Sequence, residues 1–243
     1  MLILTLDAST DIVTTAVARA EGAAVPRDRR FHGPKTGREI LAEISVPSRG
    51  ASEALLPAAH NALSLSGIDL DQVERILAGV GPGTFTGIRI ALATARSLSL
   101  ATRATLSKNS TLAALAAPAL LDAKEPIVLA VLDAKRRQVF AQHFADDGAH
   151  GEILCVTPEE LSVEAVPLKR DILIVGDGAV RYRRELSALG RIPPDASLLH
   201  RVTAVGHVLS ADLAPVSPGE VVPLYVRQPD AEVRRDLNPW SRA

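Results

Sequence analysis

Gly79-Val80-Gly81-Pro82-Gly83-Thr84-Phe85-Thr86-Gly87-Ile88-Arg89 sets glycines, a proline and threonine hydroxyls between an apolar run and a run of small helix-forming residues. A strand–loop–helix junction of this kind suits one direct task, the binding of an anion. Glycines ahead of a helix present unspent N–H groups and the positive end of the helix dipole. Gly81 and Gly83 admit positive φ and close backbone approach, Pro82 pins the turn, and Thr84 or Thr86 can supply the N-cap oxygen. The competing reading is structural: a tight connection whose glycines only let helix and strand pack closely. Two phosphate templates fail, since the Walker-type GxxxxGK pattern has no match and GxGxxG breaks at Thr86.

Asp7 joins Gly81, Gly83 and Thr84 as a candidate nucleotide or anion site, because it ends a short apolar run just before a turn. Asp133 ends a similar run far downstream, so the two carboxylates could face one cleft and hold magnesium, given a polyphosphate to complete the octahedron. The alternative is that each accepts N–H bonds within its own turn. None of the six histidines has a second histidine at i+3 or i+4, so no helical metal pair is expected and no metal or other cofactor is assigned. Ser9 and Ser52 suggest no peptidase triad, since no histidine and acid arrangement is visible around them. Cys155 is the sole cysteine and lies in an apolar run, which excludes an internal disulfide and favours an inert thiol. No catalytic residue is assigned.

A formal net charge of −1 gives no global attraction for nucleic acid, so an RNA contact would need a local patch or a partner's surface. Three basic clusters, at 27–30, 135–137 and 181–184, read as solvated turns. The 47% hydrophobic and 23% charged composition is that of an ordinary globular chain. The apolar run at 2–6 is too short for a signal peptide, and no run approaches the roughly twenty residues that span a bilayer. A cytoplasmic protein without membrane attachment is the expectation.

The elements that must position these residues recur. Residues 2–8 and 12–18 read as a hairpin, and 128–134 and 139–144 repeat it, Asp-Ala closing the first strand each time. Each copy reaches a later apolar strand that ends in glycines, at 77–83 and at 172–178. Between them lie a third strand at 40–46, a helix at 52–66 that Ser52 and Glu53 would open, and a helix at 86–101. Pro57 is too deep for a first-turn proline unless that earlier helix begins near Leu56. The helix at 86–101 is apolar on two sides. Ile88, Ala91, Leu92, Ala95 and Leu98 suit a sheet; Ile90, Ala93, Thr94, Ser97 and Ala101 need a second cover, a lobe or another chain. Ser52, Glu53, Leu56, Ala93, Thr94 and Ser97 are therefore the candidate partner interface, with the small residues allowing close helix approach. Residues 21–38 read as a mobile hairpin tip, 222–227 as a terminal strand, and the rest as a polar tail. The pattern is α/β and duplicated, an actin-like, ribonuclease-H-like fold with lobes at 1–122 and 123–243, the second reduced.

Leu6-Asp7-Ala8-Ser9-Thr10, Ser52-Glu53-Ala54-Leu55-Leu56-Pro57, Gly81-Pro82-Gly83-Thr84-Phe85-Thr86-Gly87-Ile88-Arg89, Leu132-Asp133-Ala134-Lys135-Arg136 and Pro223-Leu224-Tyr225-Val226-Arg227 together resemble the TsaB family, a bacterial partner subunit in the synthesis of N6-threonylcarbamoyladenosine on tRNA. The resemblance covers most of the chain. It implies a non-catalytic scaffold that binds and activates the catalytic paralogue TsaD and works with the ATPase TsaE. It also implies a homodimer through the same surface when the partner is absent, and tRNA contact only through the assembled complex. Two positions depart from the family pattern: Ala8 stands where a threonine is usual and Ala51 where a histidine is usual. The enzyme alternative is an actin-like small-molecule kinase or another nucleotide-dependent enzyme. Such kinases resemble one another in a glycine at the first phosphate hairpin, and Ala8-Ser9-Thr10-Asp11 has none.

Overall fold

The computed structural model describes residues 1–21, 37–47, 50–122, 127–145, 148–164 and 171–227. The core of the expected hairpin tip, the 123–126 stretch at the lobe boundary, the basic residues at 27–30 and the polar tail from 228 lie outside the described residues.

Two sheets organise the chain. Strands β1 (Leu2–Asp7), β2 (Ile12–Ala20), β3 (Arg38–Pro47), β4 (Arg75–Gly79) and β5 (Thr105–Asn109) form the first, in the order β3-β2-β1-β4-β5. Strands β6 (Ile127–Asp133), β7 (Val139–Ala145), β8 (Gly148–Val156) and β9 (Ile172–Val175) form the second, in the order β8-β7-β6-β9. In each, two antiparallel hairpin connections are followed by a strand parallel to the first, β4 on β1 and β9 on β6. The second sheet thus repeats the first without its fifth strand, and the fold is the duplicated, actin-like α/β arrangement expected.

Both sheets are covered on both faces, which is why their strands read as nearly continuous apolar runs. On the first sheet, Leu4, Leu6, Val17 and Ile76 face helices α1 (Ala51–Ser66) and α2 (Phe85–Ala101) through Leu55, Ala59, Ala62, Ile88, Ala91, Leu92 and Ala95. The opposite face, with Ile3, Ala18 and Leu77, receives Val208, Ala211 and Leu213 from much later in the chain. On the second sheet, α3 (Thr111–Asp122) covers Val128, Ala130 and Leu132. The other face is covered from α4 (Pro158–Glu164), α5 (Asp177–Arg181) and α6 (Arg183–Leu186) by Leu161, Ala179 and Leu186. Helix α7 (Ala204–Ser210) packs on α3 and on the first sheet, so α3 and α7 stand between the two halves.

Three local expectations change. α1 begins one residue before Ser52, with Gly50 at its N-cap and no side-chain cap bond, and Pro57 lies inside the helix. Ser52 therefore caps nothing. Pro57 is the seventh residue of the helix and exposed; it removes the one N–H that would donate to Glu53 O, an interior cost that a first-turn proline would not carry. Residues 222–227 join no sheet: Leu224 donates a single backbone bond to Val80 O at 2.8 Å, and the segment is a strap, not a strand. Among the described residues no helix is long and apolar enough to cross a membrane.

Candidate functional site

The glycine loop carries the turn between β1 and β2 on its surface. A Cβ on Gly83 would lie 2.1 Å from Ser9 O, and one on Gly87 would lie 1.8 Å from Ala8 O. Gly79 gives the same close approach to Asp7, whose Oδ2 would stand 1.8 Å from its Cβ. The N–H of Thr84 donates to Ser9 O at 2.7 Å. Sequence reasoning allowed both Gly81 and Gly83 positive φ; only Gly81 has it, at +97°. Gly83 is required by contact instead. Thr84 holds the N-cap position of α2, but its hydroxyl caps nothing, and Thr86 lies within the first turn. The structure thus gathers Asp7, Gly81, Gly83 and Thr84 in one place, with part of the loop's donor capacity already used by the hairpin.

Asp7 is fully buried at the centre of a polar network. Ser9 donates to its Oδ1 twice, from the backbone N–H at 2.8 Å and from Oγ at 2.7 Å. Having given its hydrogen to Asp7, Ser9 Oγ accepts from Thr111 Oγ1 at 3.0 Å. His207 Nε2 stands 3.0 Å from Asp7 Oδ2. The proton positions follow from the rest of the chain of bonds. Ser210 Oγ donates to Gly206 O at 2.8 Å, so its oxygen accepts from Asn109 Nδ2 at 2.7 Å. The amide's second hydrogen then points to His207 Nδ1, 3.3 Å away, which leaves Nε2–H to donate to Asp7. Burial works against ionisation of Asp7, but His207 and the two Ser9 donors more than offset it and hold the carboxyl below the usual carboxylate range.

Asp7 was legible as a turn acceptor; His207, Asn109, Thr111 and Ser210 were not legible as its partners. His207 sits in the apolar run Ala204-Val205-Gly206-His207-Val208, and a lone histidine in such a run signals burial without naming its partner.

The second hairpin turn is built differently. Asp133 accepts from Lys135 N–H at 3.0 Å, as the turn-acceptor reading expects, and pairs with Lys135 Nζ at 3.2 Å and Arg181 Nη1 at 3.5 Å. Its own N–H donates to Asp177 Oδ1 at 2.9 Å. Lys135 Nζ also lies 3.9 Å from Asp11 of the first turn, so the two turns face one another across an acidic space. Lys135, Arg136 and Arg137 all hold positive φ, between 54° and 60°, a conformation in which each residue with a Cβ is strained. His143 and His150 are cross-strand neighbours in β7 and β8, a juxtaposition that helix spacing could not reveal. Among the described residues, no group of three His, Cys, Asp or Glu side chains could hold a metal ion.

α1 and α2 lie side by side on the first sheet. Ser52, Glu53, Leu56, Ala93 and Ser97 are exposed and Thr94 is half-buried; of the second face of α2, Ile90 packs against the first core while Ala93, Ser97 and Ala101 remain uncovered within the described residues. A cleft of about 480 Å³ opens on the other side of the glycine loop, between Lys108, Ser110, Asp212 and Leu224. Its charges are mixed, and Lys108 Nζ is already engaged with Glu220 O at 3.0 Å.

The sequence profile described as TsaD: tRNA N6-adenosine threonylcarbamoyltransferase matches residues 43–164. The tRNA threonylcarbamoyladenosine biosynthesis protein TsaB of Escherichia coli is 30% identical over 144 residues, which cover 57% of this chain and 62% of that protein. An uncharacterized protein of Mycobacterium tuberculosis is 26% identical over 230 residues, 95% of this chain and 93% of that one. Among solved structures, YeaZ from Pseudomonas aeruginosa superposes with a TM-score of 0.69 at 25% identity, covering 93% of this chain and 99% of its own.

Proposed function

Because this chain belongs to the family of TsaD, the tRNA N6-adenosine threonylcarbamoyltransferase, and is a TsaB-type member of it, we propose that it is the non-catalytic partner subunit in N6-threonylcarbamoyladenosine synthesis on tRNA. In this reading it binds a TsaD-type catalytic subunit and fixes that subunit's lobes in an active arrangement. A TsaE-type ATPase and tRNA then engage the assembled complex, and the chain forms a homodimer when its partner is absent. It acts in the cytoplasm and carries no cofactor of its own. Residues 1–122 and 123–243 are its two lobes.

The observation that carries this reading is a contrast around the first sheet. The polar residues at the fold's centre, Asp7, Ser9, Asn109, Thr111 and His207, spend their donors and acceptors on one another, while Ala93, Ser97 and Ala101 on the second face of α2 are left uncovered. Buried groups satisfied internally hold a shape; uncovered small residues beside an exposed Leu56 offer a surface. The kinase alternative is disfavoured on two counts: the turn Ala8-Ser9-Thr10-Asp11 has a Cβ at every position, and its backbone is seated on Gly83 and Gly87.

The test uses the purified chain alone and with its cognate TsaD-type and TsaE-type subunits, measuring ATP hydrolysis and threonylcarbamoyl transfer to tRNA. Alone it should do neither, and addition to the other subunits should give transfer. Turnover by the chain alone that survives removal of contaminating partner overturns the proposal.

A further inference from the structure

Two segments far apart in sequence, 81–89 and 223–227, meet through three side chains. Phe85 and Arg89 are four residues apart on α2 and so share a face. The guanidinium carbon of Arg89 lies 3.7 Å from the Phe85 ring centre, and its Nε donates to Tyr225 Oη at 2.9 Å. The Phe85 and Tyr225 rings stack at 5.6 Å with 24° between their planes. No core requires this cluster: Phe85 is 52% exposed, Tyr225 45%, and Leu224 beside them 36%.

The neighbouring cations are committed elsewhere. Arg96 Nη2 donates to Val221 O at 2.7 Å and Lys108 Nζ to Glu220 O. The two Nη groups of Arg89 have no acceptor among the described residues. One ring and one hydroxyl hold this guanidinium in place while its fork points outward, so much of the entropy of fixing a long side chain is already spent. A preset fork matches the two oxygens of a single carboxylate.

We propose that Phe85, Arg89 and Tyr225 form a receptor for a carboxylate of the catalytic subunit, an Asp or Glu presented beside an apolar side chain that covers Phe85 and Leu224. The inference rests on the reading that this chain binds such a subunit. An RNA backbone is the poorer occupant, because a single guanidinium on a chain of net charge −1 offers no track of cations. Arginine with aromatic neighbours on an exposed apolar patch is instead the composition of protein interface centres.

The test measures affinity for the purified cognate catalytic subunit by calorimetry, using the full chain and its Arg89→Ala, Arg89→Lys and Tyr225→Phe variants, each checked by thermal melting. Both Arg89 variants should lose roughly thirtyfold or more in affinity, since lysine keeps the charge but not the fork. Tyr225→Phe, which frees Nε, should lose less, and all three should melt as the parent does. Neutralising the matching carboxylate on the catalytic subunit should add nothing to the Arg89→Ala loss. Parent-like affinity in both Arg89 variants overturns the receptor and leaves the partnership standing. Failure of the parent chain to bind removes the partnership, and the receptor with it. Unchanged subunit affinity with weakened tRNA binding by the complex also overturns it, in favour of an RNA phosphate.

Discussion

Asp7 and Arg89 are opposite uses of a charged side chain. Arg89 is oriented and outward; Asp7 is enclosed, with its lone pairs taken by Ser9 and His207. Replacing Asp7 by Asn sets an amide N–H against His207 Nε2–H. Relief by moving the histidine proton to Nδ1 only shifts the conflict to Asn109 Nδ2. Asp7→Asn should therefore cost roughly 2–4 kcal/mol at neutral pH, as expected when one member of a buried hydrogen-bonded pair is removed. The pH dependence has a definite sign. A carboxyl held low in the folded state contributes stability that is present above its unfolded value of about 3.9 and is lost as pH falls through its lower folded value. The difference between parent and variant should thus be full at neutral pH and shrink only below about pH 4, measurable by urea unfolding across that range. A difference that instead vanished on raising the pH would contradict an ionised Asp7 at the centre of this network.

At the scale of elements, the glycine loop and α2 act as one unit, because the loop seats the first hairpin and sets where α2 starts. Gly83→Ala places a methyl against the Ser9 carbonyl, a backbone atom that cannot rotate away. It should lower stability by about 1–3 kcal/mol, the usual cost of overpacking, and weaken partner binding by displacing α2. Unaltered melting and partner affinity, with nucleotide binding lost, would make the loop a phosphate site instead. The face that α2 leaves open has its own test. Ala93→Glu and Ser97→Arg lie at exposed positions and should leave each chain folded with a cooperative melt, yet abolish homodimer and heterodimer in sedimentation. If both assemblies persist, the interface lies elsewhere. These elements were largely legible in advance, because sheets covered on both faces leave unbroken apolar runs and the Asp-Ala turns mark the duplication. The strap at 222–227 reads as a strand because its residue types are those of one, but Leu224 alone of them donates a backbone bond, to Val80 O just past the end of the interior strand β4. Gly83 could not be assigned its reason from sequence, since close approach depends on which backbone arrives, and Ser9 comes from over seventy residues away. The same distance problem hid His207 from Asp7.

The whole molecule is tied together by its last described residues. Arg38 Nη2 donates to Ala211 O at 3.0 Å, Arg75 Nη1 to Leu213 O, and Val216 N–H to Leu106 O at 2.9 Å, all binding the late chain to the first sheet. Arg227 then reaches the second hairpin turn, donating to Ala134 O at 3.0 Å and Gln138 Oε1 at 2.5 Å. The strap therefore touches the glycine loop, α2 and the second sheet's turn within a few residues, a fixed frame for the surface proposed to meet the partner. It follows that the proposed lobe boundary at 122 divides sheets but not folding units. Cut there, the first lobe loses Val208, Ala211 and Leu213 and exposes Ile3 and Leu77, both now fully buried. Burial of each of those two side chains is worth roughly 1.5–3 kcal/mol, against a total margin of roughly 5–15 kcal/mol for an ordinary domain. The hydrogen-bonded groups of Asp7 and Arg75 would lose partners as well. The fragment 1–122 expressed alone should consequently give no cooperative thermal transition. Co-expressed with 123–243, it should copurify as a complex that melts cooperatively. Cooperative unfolding of 1–122 alone, near the temperature of the full chain, would mean that the late segment decorates the first lobe and does not complete it.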